Sequence, residues 1–324
     1  MPINVGLYFD LRNPPQWPQD PARLHAFTLE VCEEAERLGA HSVWFSEHHQ
    51  FDDGYLAAPL TFAAAAAART SRMRIGTAIV IAPLHHPVEL AEQAAMVDLI
   101  SGGRLELGIG AGYRVPEYAL FGAPGEQRYA QTDHRARELR RLWGPGGITP
   151  RPVQERPPIW MGYQGPQGAR RTGLLGESLL TANGASWQPY RDGLIEGGHD
   201  PAIGRMAGVI NAFVSEDPEK DWPHVAPHIA HQQDSYRRHL VEGTDQPVPR
   251  PVDPDKLRER EAKAMGYYWC DTPEVIGDRV RTRVGDAPVE TVFFWASVGG
   301  QPEDVVVEHV RTLCTKLAPL LAED

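Results

Sequence analysis

The stretch HSVWFSEHHQFDDGYLAAPLTFAAAAAARTSRMRIGTAIVIAPLHHPVELAEQAAMVDLISGGRLELGIG, residues 41–110, decides the fold. It holds three short β-rich runs, HSVWF (41–45), MRIGTAIVI (73–81) and RLELGIG (104–110). Between the first two lies LAAPLTFAAAAAART (56–70), with consecutive alanines from Ala63 to Ala68, and alanine is the best helix former. Pro87, after His86, opens a second helical pattern before the third run. Proline at a first helical position loses nothing, because that N–H has no partner inside the helix. Strands separated by single helices pair in parallel, since a crossover helix returns the chain to the same end of the sheet. The runs are dense in apolar residues without strict alternation, as strands covered on both faces should be.

The alternation continues in both directions. INVGLYF (3–9) comes before, and PIWMG (158–162), ESLLT (177–181), MAGVINAFV (206–214) and VETVFFW (289–295) come after. Leu24, Phe27, Val31, Ala35 and Leu38 form one helical stripe, and Val306, Val310, Leu313, Leu317 and Leu320 form another. Pro21, Pro273 and Pro302 stand at further helix starts, with Asp20 and Thr272 as predicted N-caps. The strand-like runs predict an α/β fold, a (β/α)8 TIM barrel, which needs about 250 residues when unadorned. A doubly wound open sheet has the same alternation and is the alternative architecture. The excess length sits in residues 111–157, around one predicted helix near 126–143, and in the polar, His- and Pro-rich residues 215–270. The second is predicted to be an insertion between strands seven and eight at the barrel mouth, with the whole chain, 1–324, forming a single domain.

The 324 residues are 42% hydrophobic and 23% charged, an ordinary globular composition. The formal net charge of −11 repels phosphate backbones and anionic lipid, which argues against nucleic acid and membrane surfaces as partners. The opening MPINVGLYFDLRNPP has no basic region ahead of its short apolar run, so no signal peptide is expected. No apolar stretch approaches the roughly 20 residues of a membrane helix. Cys32, Cys270 and Cys314 are scattered without C-x-x-C spacing. They read as reduced thiols of a cytoplasmic protein.

In a parallel barrel the chemistry lies where strands run out into the following loops. The window after strand two, Ser46-Glu47-His48-His49, is the most informative. Histidine exchanges protons near neutrality and a neighbouring carboxylate can tune it, but only one of two adjacent histidines can face the mouth. A metal site from His48, His85 or His86 and Asp98 is an alternative, although the first strand carries no H-x-H pair. GIGAGY (108–113) lacks the third spaced glycine of a dinucleotide loop and the Lys-Ser/Thr of a P-loop, so its glycines are expected to allow a flat ligand or a neighbouring strand to come close. Gln164 to Gly168, ahead of Arg170 and Arg171, is the better anion seat, with backbone N–H groups at a helix start. The alanine-rich helix suits either tight packing on the barrel or a subunit interface.

Several stretches together resemble the bacterial luciferase-like family of flavin-dependent monooxygenases: NPPQWPQDPARL (13–24), VWFSEHHQFDDG (43–54), RIGTAIVIAPLHHPVELAE (74–92), VDLISGGRLELGIGAGY (97–113) and VETVFFWASVGGQPEDVVVEHVRTL (289–313). The resemblance spans nearly the whole chain, with 215–270 the least matched. It implies a barrel that binds FMN at its C-terminal mouth, reduced FMN arriving from a separate flavin reductase, O2 as co-substrate, a small organic molecule as substrate, and a homodimer. His48 matches the catalytic histidine, and Glu47 and His49 match structural or interface neighbours. Ala78-Ile79 aligns with a cis peptide bond that supports the flavin ring. The cofactor-binding set implied is Ala78, Ile79, Gly110, Ala111, Tyr163, Gln164, Gly165, Gly168 and Arg170. Two departures stand out: Ala111 replaces an arginine that holds the flavin phosphate, and Gln164-Gly165 replaces a Glu-Ser pair. They leave room for a deazaflavin in place of FMN, and a non-catalytic flavin-binding protein is a further alternative. Trp17, Phe51, Tyr113, Trp269 and Trp295 are candidates for shaping the substrate pocket.

Overall fold

The computed structural model describes residues 2–257 and 268–323. Part of the predicted insertion, residues 258–267, therefore lies outside the described residues. Among the described residues there are eleven strands: β1 (Asn4–Phe9), β2 (Ser42–Phe45), β3 (Arg74–Thr77), β4 (Val80–Ile81), β5 (Leu105–Gly110), β6 (Ile159–Met161), β7 (Ser178–Leu180), β8 (Met206–Ile210), β9 (Ala212–Val214), β10 (Trp269–Asp271) and β11 (Val289–Trp295). In the main sheet the order is β3-β2-β1-β11-β8-β7-β6-β5-β4, and β3 also pairs with β5, which closes the ring. All of these ladders are parallel. β3 and β4 are two halves of the third barrel strand, so the structure is a closed eight-stranded (β/α)8 barrel and the open-sheet alternative falls away. The insertion lies between the seventh barrel strand, β8, and the eighth, β11.

The barrel interior is filled by large aromatic side chains. Trp44 stacks on Phe293 with centroids 4.8 Å apart and meets Trp160 edge-on at 6.0 Å. Trp44 fits because Gly76 faces it: a Cβ there would lie 2.3 Å from its ring. Glu106, buried at the same depth, accepts from Trp160 Nε1 at 2.7 Å and Arg74 Nε at 2.6 Å. Those bonds satisfy a carboxylate that burial would otherwise penalise. The floor is thus plugged, and the space for chemistry is the opposite, C-terminal end.

Local structure departs from the sequence expectations in five places. The run 73–81 breaks at the cis bond Ala78-Ile79. The run 206–214 breaks at Asn211, after which β9 leaves the barrel to pair in parallel with β10, a strand the polar composition of 215–270 concealed. Asp20 does cap its helix, accepting from the Ala22 N–H, but Thr272 makes no capping bond, and Pro302 precedes rather than begins its helix, Glu303–Thr312. In the C-terminal stripe, Leu321 and not Leu320 is buried, because a π-helical turn at Leu313–Leu317 adds one residue and rotates the following face.

Candidate active site

Strand β2 ends in Ser46-Glu47-His48-His49, and the two histidines diverge. Glu47 and His49 turn to the outer layer. The buried Glu47 carboxylate accepts from the Ile81 N–H at 2.5 Å and bonds the rings of His49 at 2.9 Å and His85 at 2.8 Å. Burial alone would raise its pKa, but these bonds outweigh it and hold the carboxyl at about 2. Glu47 therefore clamps the second barrel strand to the third. Asp98 is taken up by Gln154, and no group of three or more His, Cys, Asp or Glu side chains among the described residues is arranged to hold a metal ion.

His48 faces the mouth. Its Nδ1 lies 2.8 Å from Glu117 Oε1, and the same oxygen accepts from the His49 backbone N–H at 2.8 Å. An oxygen that already accepts a backbone N–H also accepts from His48, so Nδ1 carries the proton and Nε2 carries the lone pair. Burial lowers the His48 pKa, and the bond to Glu117 offsets this only in part. The ring is boxed by Phe51 at 4.6 Å, Tyr55 at 4.8 Å and Tyr113 at 5.1 Å. The Tyr113 hydroxyl is buried without a partner. Glu117 had no signal in the sequence: it comes from the short helix Val115–Phe121 after β5, far from His48 along the chain.

The other expected residues fall into two groups. Ala78 and Ile79 are partly exposed beside the mouth, and the Ala78 carbonyl accepts from the Tyr8 hydroxyl. Gly110 and Gly162 make room for Ile79, since a Cβ on either would lie within 3 Å of its side chain. Gly165 begins the helix Gly165–Leu175 at φ +70, with open space where a Cβ would stand, and Gly168 packs against Tyr163. Gly110, Gly162, Gly165 and Gly168 all lie at or just after the C-terminal ends of β5 and β6. Two expected side chains point elsewhere. The Tyr163 hydroxyl donates to Asp133 at 2.7 Å and to the Tyr129 carbonyl at 3.2 Å, so only its backbone borders the mouth. Arg170 pairs with Glu196 on the next helix, while Arg171 pairs with Asp133 at 2.7 Å.

A buried network the sequence reading missed fastens the insertion over the mouth. Arg12, with no exposed side-chain surface, bonds Asp10 at 2.9 Å and Asp53 at 2.6 Å. The rings of Tyr55, at 4.6 Å, and Tyr236, at 4.4 Å, lie against its guanidinium. The long helix Pro218–Val241 joins from above through His231 and Ser235 to Asp53, at 3.1 and 3.2 Å, and through Gln232 to Asp10, at 3.3 Å. Burial works against ionised Asp53, but His231 and Arg12 hold its carboxyl well below the usual range. Leu11 and Gln50, in the loops involved, both have positive φ, at 54° and 53°, conformations that side chains adopt only where the surroundings enforce them. Of the aromatic candidates, Phe51 and Tyr113 wall His48, Trp17 packs on His228 of the long helix at 4.2 Å, and Trp295 packs on Tyr8 at 4.2 Å. Trp269 lies on β10 under Arg279, at 5.5 Å.

A family model described as luciferase-like monooxygenase matches residues 5–306. Among curated proteins, the chain is 33% identical over 166 residues to the oxygenase component of a flavin-dependent trigonelline monooxygenase from Acinetobacter baylyi, covering 46% of each chain. It is 27% identical over 187 residues to an F420-dependent glucose-6-phosphate dehydrogenase from Amycolatopsis mediterranei, covering 52% of this chain and 56% of that one. The chain thus spans about half the length of these two relatives. Among solved structures, monooxygenase RslO1 from Streptomyces bottropensis superposes with a TM-score of 0.80 at 24% identity, covering 98% of this chain and 99% of that one, a likeness of fold.

Proposed function

Because the chain belongs to the luciferase-like monooxygenase family, we propose that its barrel mouth is the active site of a monooxygenase working with reduced FMN and O2 on a small organic substrate. The observation that carries this reading is the His48–Glu117 dyad, at 2.8 Å, beside the partly exposed Ala78-Ile79 edge. The residues present fit a flat ring carrying a phosphate. The edge is bordered by Gly110 and Gly162, which carry no side chain, and Gly165 opens toward solvent at a helix N-terminus. Bound there, a reduced flavin supplies the electron pair with which O2 delivers one oxygen atom to the substrate and the other to water.

The side chains have separable tasks. His48 is largely neutral at pH 7 and accepts or returns a proton at Nε2, while Glu117 fixes its tautomer and stabilises the imidazolium form. Phe51, Tyr55 and Tyr113 hold the ring in place, and the helix Pro218–Val241 covers the site against bulk water. The likeness to an oxygenase component supports a separate reductase as the source of reduced FMN. A deazaflavin-dependent oxidoreductase is the second reading, favoured by the F420-dependent relative.

The test is anaerobic titration with reduced FMN and reduced F420, followed by an 18O2 pulse over a panel of small organic substrates. The monooxygenase reading expects reduced FMN to bind at micromolar concentration and one 18O atom to enter product. It also expects His48→Ala to bind FMN but lose product formation. Binding of F420 alone selects the second reading, and binding of neither overturns both.

A further inference from the structure

The helix Pro218–Val241 brings a phenol to the histidine it covers. Tyr236, partly exposed, has its ring centroid 6.2 Å from that of His48 and 6.5 Å from that of Trp295. Its hydroxyl shares a 2.8 Å hydrogen bond with that of Tyr55, which shares one of 2.6 Å with Ser46. Ser46 in turn donates to the Phe9 carbonyl at 3.4 Å, a long and weak bond. Each hydroxyl has a single proton, so all the bonds of such a chain run in one direction and reverse together. Running inward, the chain ends on the weak bond to Phe9. Running outward, Ser46 donates to Tyr55 and Tyr55 to Tyr236, which frees the Tyr236 proton for a stronger acceptor. An oxyanion is such an acceptor, and the donors behind Tyr236 strengthen the last bond.

The surroundings of His48 say what carries that oxyanion. Among the described residues no group bonds His48 Nε2, so its lone pair is free. The Tyr113 hydroxyl beside the same ring is buried without a partner, a cost that a ligand oxygen removes. Burial, with Asp10 and Tyr113, raises the Tyr236 pKa, and Arg12 and the bond with Tyr55 offset only part of this, so Tyr236 keeps its proton and acts as a donor. A histidine whose pKa burial has lowered is a weak base. It can take the proton of a phenol, with a pKa of about 10, once the oxyanion is stabilised, whereas an aliphatic hydroxyl, close to water at about 15.7, lies beyond it. The rings of Phe51, Tyr55, Tyr113 and Tyr236 around His48 also suit an aromatic molecule. We propose that the substrate is a phenol whose hydroxyl binds between His48 Nε2 and the Tyr236 hydroxyl, with Tyr236 as the specificity-determining donor and Tyr55 and Ser46 as its positioning residues. This rests on the monooxygenase reading above. The phenol O–H bond breaks and its proton passes to Nε2, while the electron pair left on oxygen enriches the ring carbons ortho and para to it. One atom of O2 bonds to such a carbon, the proton of that C–H bond leaves to restore aromaticity, and His48 returns its proton. Phenol, O2 and the two-electron-reduced flavin thus give a dihydric phenol, water and oxidised flavin. Tyr236 lies in residues 215–270, the segment least matched by the family resemblance, so this contact is a property of this chain.

Difference absorbance with 4-nitrophenol, whose neutral and ionised forms absorb at different wavelengths, tests this on the whole protein with and without oxidised FMN. Wild type is expected to bind the probe as phenolate, with its ionisation at least about one pH unit below that of the free probe, a tenfold preference for the oxyanion. Tyr236→Phe should remove most of that shift and weaken the probe about tenfold or more, while nitrobenzene, which lacks the hydroxyl, binds both proteins alike. Tyr55→Phe breaks the chain one bond further back and should lose part of the shift. With reduced FMN and 18O2, phenol should give a dihydric phenol carrying one 18O atom. Circular dichroism and the melting temperature check that each variant is folded. The proposal is overturned if wild type binds 4-nitrophenol in its neutral form or not at all, or if Tyr236→Phe keeps the shift. It is also overturned if Tyr236→Phe loses nitrobenzene in the same proportion, which marks a purely structural residue. FMN binding and 18O transfer to a non-phenolic substrate, without a shift of the probe, would overturn the phenol while leaving the monooxygenase reading intact. Binding of neither FMN nor F420 would overturn that reading and the proposal with it.

Discussion

At the scale of single residues, the site turns on two carboxylates that serve adjacent histidines differently. Glu117 raises a His48 pKa that burial lowers. Glu117→Gln removes the charge and lets burial dominate, so the acid limb of the pH–rate profile should move to lower pH. The turnover number should fall by about 10- to 100-fold. A profile unmoved on the pH axis would deny Glu117 this role. Glu47 acts on stability. Its carboxyl is depressed from 4.5 in the unfolded chain to about 2 in the fold, so its ionised form stabilises the protein above pH 4.5. That contribution, on the order of 3 kcal/mol, is lost as pH falls from 4.5 toward 2. Melting temperatures across this range should therefore fall steeply in wild type and less steeply in Glu47→Gln. His48 was legible because a strand end, a carboxylate and a histidine coincide in seven letters. Glu117 was not, since it reaches His48 through loop geometry that no spacing in the sequence encodes.

At the scale of elements, the helix Pro218–Val241 is tied to the mouth by hydrogen bonds to the buried Asp10 and Asp53, partners of Arg12, rather than by apolar burial alone. Arg12→Met leaves Asp10 and Asp53 buried without their cation. Urea unfolding should show a loss of about 3–5 kcal/mol, the usual result of removing one partner from a buried pair. A loss below about 1 kcal/mol would mean that the network is not structural. The sequence exposed helices and strands through their hydrophobic period, but two interruptions were invisible to it. The break at Asn211 sends β9 into a second sheet while its residues stay apolar, so periodicity reads through it. The π turn at Leu313–Leu317 shifts the buried position to Leu321, because a pattern counted at constant period cannot register one added residue.

At the scale of the whole molecule, closure was beyond the sequence: alternating strands and helices suit an open sheet as well as a barrel, and only the pairing of β3 with β5 and of β1 with β11 decides between them. The packed interior makes closure exacting. Gly76→Ala places a methyl group against the Trp44 ring, which is already held by Phe293 and Trp160. It is expected to cost about 1–3 kcal/mol in urea unfolding, as overpacked cores do, and an unchanged midpoint would show that Trp44 can yield. The pairing of Asn4 with Thr291 has a consequence in time. During synthesis β1 leaves the ribosome first, and its partner is made almost a full chain length later. At 5–20 residues per second that is a wait of roughly 15–60 s. Throughout it, one edge of an apolar strand is unpaired and available to other nascent chains, which makes the seam between the first and last strands the place where chaperone binding protects this fold most.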